Sequence, residues 1–209
     1  LIILSAIWGS AFIAIKVSVD SINPITVASG RLIIASLILY SYFKYKKYTN
    51  NFKKIILIKI FFIGLIGNFI PFYFISWSEQ YIQSNTAAML LSVAPIFTLL
   101  IAHFFTHDDK FTLRKMLAII IGLIGVTFIF GIDSIKDLFS RNYLLYLPKI
   151  LCMLAALGYV ISSIMAYNLK KIDILTLTTF VTISAAITSI PFMLYVEIIS
   201  ISKPTSTSL

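Results

Sequence analysis

The 209-residue sequence predicts an all-α, polytopic membrane protein, and three observations carry that reading. Hydrophobic residues make up 59% of the chain and charged residues 12%, against roughly a quarter charged in ordinary soluble domains. The apolar residues fall in successive runs long enough to cross a bilayer, which takes about 20 residues at about 1.5 Å each. Lys and Arg gather in short loops between the runs, alternately many and few. In lipid, helices and closed barrels alone satisfy every backbone polar group, and runs this continuous lack the alternation of barrel strands.

Seven spans follow, at 1–19, 24–43, 55–78, 83–105, 114–131, 146–168 and 174–195. The first lacks the basic start and small-residue cleavage site of a signal peptide and carries Trp8 and Lys16, so it reads as a span. It opens at Leu1 without a methionine, and the true N-terminus is expected upstream. The third carries Gly64, Gly67, Asn68 and Pro71 at helical spacing. Pro71 removes a backbone hydrogen bond and crowds the carbonyl of Gly67, so a kink is expected there. The fourth has a parallel set, Asn85, Ala88, Ser92 and Pro95. The fifth, with Ala118, Gly122 and Gly125, reads as a packing seam or a homodimer contact. Cys152 in the sixth is the single cysteine, which excludes an internal disulfide. The polar end from Ser202 reads as the start of a loop whose following helices are absent.

A net charge of +9 would suit nucleic acid if it formed one patch. Here it marks topology instead, so the expected partners are the lipid bilayer and a small-molecule substrate. Loops 44–54, 106–115 and 169–173 hold ten Lys and Arg, and the alternate set holds three. The rule that basic loops stay inside puts the N-terminus in the cytoplasm of a cell membrane, expected to be a bacterial inner membrane. Faint internal symmetry appears at an offset of 149 residues, which lays Gly9 on Gly158 and the loop at Asp20 on that at Leu169. Five spans separate the two starts, so the second copy enters from the opposite side, as in transporters built from inverted repeats. The division expected is a first repeat over 1–131 and a partial second over 146–209.

The run Ile7-Trp8-Gly9-Ser10-Ala11-Phe12 with Lys16 resembles the first helix of EamA-type permeases of the drug/metabolite transporter superfamily. Pro24-Ile25-Thr26 with Arg31, Glu79-Gln80-Tyr81-Ile82, Ala87-Ala88, Ala94-Pro95 and Gly122-Leu123-Ile124-Gly125-Val126 continue that resemblance in order. The turn Thr106-His107-Asp108-Asp109-Lys110 departs from the Gly-Glu-Arg-like turn common there. The resemblance implies ten helices in two inverted five-helix repeats, about seven of them present here. It also implies a secondary transporter that moves a small metabolite, such as an amino acid or related polar compound, by alternating access. The competing reading is a non-transporting scaffold or subunit, or a truncated remnant.

Each candidate residue has a plainer role beside the functional one. Lys16, near the outer end of its span, either snorkels to the interface or faces a cavity and attracts a carboxylate. Arg31, about seven residues into the second span, costs at least about 2.5 kcal/mol to insert and must find a partner. Glu79 and Asp20 are the acidic candidates for it, with Ala28 and Ala35 giving its face room to pack. Asn68 and Ser92 are expected to line a cavity beside Pro71 and Pro95, with Tyr159 on the sixth span joining them. Trp8, mid-span, should face the bundle to satisfy its indole N–H. Tyr73, Trp77 and Tyr81 read as an interfacial belt. His103 and His107 have the spacing of one iron box, but such sites need several, so no metal is expected. No nucleophile–base pair, phosphate loop or paired carboxylate presents itself, and neither an enzyme nor a cofactor is expected.

Overall fold

A computed structural model describes residues 2–48, 52–105, 112–138 and 143–202. These residues are helical, with no strand among them. The helices are α1 (Ile2–Val19), α2 (Pro24–Tyr45), α3 (Lys54–Gly64), α4 (Ile70–Ser78), α5 (Ser84–Leu91), α6 (Ala94–Phe105), α7 (Leu113–Leu138), α8 (Tyr146–Tyr167) and α9 (Ile174–Ser202). Among the described residues, six helical segments are long and apolar enough to cross a membrane: α1, α2, Lys54–Ser78, Ser84–Phe105, α8 and α9 up to Ile199. The 26-residue α7 stands where the fifth span is expected.

The helix starts follow local chemistry. Asn23 caps α2 by accepting the Ile25 N–H at 3.2 Å, and Pro24 follows at the first helical position. Asp173 caps α9 one residue further in, its carboxylate accepting the Thr176 N–H at 3.0 Å. α9 runs past the expected end of its span to Ser202, which puts Glu197 inside a helix rather than in a polar tail.

The third span is continuous but not uniform. Between α3 and α4 the backbone takes one turn of π-helix over Leu65–Phe69. The expected kink is thus an insertion ahead of Pro71, which widens the helix so that the proline ring no longer meets a regular turn. The fourth span is broken outright at Ser92 and Val93, between α5 and α6.

Two packed pairs organise the molecule. α2 lies along α9, sharing a core of Ile25, Leu32, Phe69, Ala185 and Ala186. α4 lies along α8, and α8 also touches the π turn, α5 and α6. Close approach depends on glycine: Gly64 lies against Ser184 of α9, and Gly67 against Ser162 of α8. A Cβ on Gly158 would stand 2.6 Å from the Ile66 carbonyl oxygen and 3.1 Å from Pro71 Cγ. Gly122 and Gly125 of α7 have nothing within 4 Å of such a Cβ among the described residues, which leaves their seam open there. Trp8 departs from expectation: it lies on the outer face of α1, 68% exposed, because α1 touches its neighbours through Ile15 and Val19 near its far end.

Candidate functional site

Charged and polar side chains converge where α1, α4, α5 and α8 meet. Lys16 adopts neither of its two expected roles. Its Nζ donates to the backbone carbonyl of Glu79 and, at 3.3 Å, to that of Ile82. These carbonyls end α4 and begin the turn into α5, where a helix presents unsatisfied acceptors and partial negative charge. Lys16 therefore caps α4 from across the bundle.

Glu79 itself stands just past the last residue of that helix and is fully buried. Among the described residues neither carboxylate oxygen has a hydrogen-bond partner. Burial pushes the carboxyl up, to about 8, against the opposing pull of Lys16, Arg31 and the nearby Ser84 hydroxyl. Ser78 is turned away, donating to the Pro148 carbonyl at 2.9 Å. Cys152 on α8 lies within electrostatic reach of Glu79, packed with Ile82, Ala87 and Leu90.

Arg31 finds an aromatic face as well as a charge. Its guanidinium carbon stands 4.4 Å from the Phe72 ring centre, a cation–π contact, and it feels both Glu79 and Tyr159. Tyr159 packs with Phe12, Phe74 and Leu91 on the core that joins α1, α4 and α8. Of the residues singled out from the sequence, Lys16 and Arg31 are thus brought together around Glu79, with Tyr159 beside Arg31. Pro71 is buried against Gly158, Asn68 lies half-buried in the π turn, and Ser92 donates to the Met89 carbonyl at 2.6 Å at the helix break. Pro95 is exposed at the start of α6, and Trp8 lies apart from all of them. His107 and Asp108 fall outside the described residues, and the described ones contain no cluster of three metal-ligating side chains.

A cavity of about 750 Å³ opens at the same end of the bundle, beside Glu79's neighbour Gln80. The α1–α2 turn with Asp20 and Asn23 forms one wall, Tyr73 and Trp77 of α4 a second, and Phe192 of α9 a third. Tyr73 and Trp77, expected as belt residues, therefore also line an internal space. The Trp77 and Tyr81 rings lie 4.7 Å apart at its rim. Glu197 of α9, missed in the sequence because its span seemed to end earlier, accepts from the Thr26 hydroxyl.

An all-helical bundle with six helical segments long enough to cross a membrane among the described residues defines a polytopic membrane protein. The family model described as EamA-like transporter family matches residues 1–131, and the chain belongs to that family. An uncharacterized transporter of Archaeoglobus fulgidus is 36% identical over 128 residues, 58% of this chain and 43% of its own length. The uncharacterized transporter YoaV of Bacillus subtilis is 24% identical over 94% of this chain and 66% of its own length. A protein of Chlamydia muridarum named as an S-adenosylmethionine/S-adenosylhomocysteine transporter is 20% identical over 95% of this chain and 64% of its own. The chain thus spans between about two fifths and two thirds of the length of these relatives. No solved structure matches it.

Proposed function

We propose that this chain forms the first repeat and the opening helices of the second in a secondary transporter, which moves a small polar metabolite by alternating access. The observation that carries the reading is the pair of interrupted spans, the π turn at Leu65–Phe69 and the break at Ser92–Val93, both packed on α8. Interrupted helices within the membrane recur at transport sites because they free backbone groups and give the bundle places to bend. Gly158 rests directly on the Ile66 carbonyl, so movement of α8 is felt at the π turn without intervening side chains.

The cavity walls suit a substrate with both apolar and hydrogen-bonding parts, offering Tyr73, Trp77 and Phe192 beside Asn23, Gln80 and Asp20. An amino acid or amino-acid derivative fits that mixture, and one relative carries the name of a transporter of such compounds. The test is a panel of labelled amino acids and derivatives offered to vesicles containing the full-length protein. Pro71→Ala should insert normally and slow the transport of whichever compound moves. Absence of transport for the whole panel, or an unchanged rate in the variant, would count against the assignment.

A further inference from the structure

Glu79 has no structural task that its burial would explain. A carboxylate at the C-terminal end of a helix meets the negative end of the dipole, and a buried one without donors is strongly penalised. Yet the residue is fully buried with both oxygens unpartnered among the described residues. Lys16, the nearest cation, spends its hydrogen bonds on the Glu79 and Ile82 carbonyls rather than on the carboxylate. That choice makes sense if the side chain is neutral in this conformation.

We propose that Glu79 is an exchangeable proton site: it holds one proton while this end of the bundle is sealed, and gives it to water when the end opens. Resting on the transport reading, this makes substrate movement proton-coupled.

The groups facing Glu79 fit both states. Lys16 from α1 and Arg31 from α2 stand within electrostatic reach and wait to stabilise the anion. Ser84 at the start of α5, whose hydroxyl donates to the Phe12 carbonyl at 3.4 Å, stands close by, while α8 brings Cys152, with Tyr159 further along that helix, and carries the buried Lys149 one turn before Cys152. The element that must move is lightly held: Ile15 and Val19 are the buried residues of α1, and its polar ties to the α4–α5 region are Lys16 and the Phe12 carbonyl, which accepts from the Ser84 hydroxyl. Opening breaks that tie, admits water, and frees the ammonium to meet the carboxylate. The sign is fixed by the raised carboxyl: the sealed form binds the proton that the open form loses, so acid favours the sealed form and alkali above about 8 favours opening.

The experiment is infrared titration of the full-length wild-type protein in lipid, alongside Glu79→Gln, which keeps the shape and neutrality of the protonated acid. A carboxylic-acid carbonyl band present at neutral pH, lost as pH passes about 8 and missing from Glu79→Gln, is the expected result. A band that titrates in the ordinary carboxylate range, or one unchanged in Glu79→Gln, overturns the proposal. The wild-type titration stands even if the variant folds poorly. In vesicles, a transported compound should carry one proton in the wild type and none in Glu79→Gln, with the pH dependence of its rate flattened. Equal pH profiles would overturn the coupling. A protein with the band but no transported compound would sink the transport reading and leave the proton site standing; transport without the band would do the reverse.

Discussion

At the scale of single residues, the chemistry of this chain lies in how charges are partnered, and sequence position says little about that. Lys16 and Arg31 stood out because charge within an apolar run always needs an explanation. Glu79 stood out as an acidic candidate for Arg31, but its full burial did not, since α1 and α8 lie far from it in the chain. The carbonyls that take the Lys16 ammonium are 63 and 66 residues away, and no local pattern announces them. Trp8 failed for a related reason: an indole at mid-span asks for a partner, but nothing local decides which face of α1 is covered. Lys16→Met should remove the cap on α4 while keeping the length of the stem. Loss of hydrogen bonds from a charged donor at a helix end amounts to about 1–2 kcal/mol. Thermal unfolding in detergent should fall accordingly, with faster amide exchange at Gln80–Gln83, and Lys16→Arg should restore part of both.

Among the elements, the spans were legible because twenty apolar residues in succession have few alternatives. Their irregularities were legible in place but not in form. Gly67, Asn68 and Pro71 mark where a helix is weak, while the choice of a π turn over a simple bend depends on α8 and Ser162 filling the space beside it. The small residues of α3 and of the π turn proved to be packing positions, and Gly122 and Gly125 of α7 meet nothing among the described residues. Substitution separates the two kinds. Gly158→Ala should destabilise the bundle by about 1–3 kcal/mol, since the new methyl meets a backbone oxygen that cannot retreat cheaply. Gly122→Ala, with nothing nearby, should leave stability unchanged or raise it by up to about 1 kcal/mol through helix propensity. Denaturant or thermal unfolding of both variants against the parent measures the contrast.

For the whole molecule, the arrangement of basic loops predicts which end faces the cytoplasm, and the two ends of α2 offer a direct check. An impermeant thiol reagent applied to intact cells should label Ser21→Cys and spare Lys47→Cys, with the native Cys152 buried and silent. Labelling in the reverse order would turn the protein over. The tie between Lys16 and the end of α4 also has a consequence in time. A ribosome adding roughly 5–20 residues each second needs roughly 3–13 s to make the 63 residues separating Lys16 from Glu79. Throughout that interval the nascent first helix sits in the translocation machinery with an ammonium whose acceptors have not been synthesised. The order of synthesis therefore makes α1 the helix whose seating is finished late, when the turn after α4 emerges and claims it.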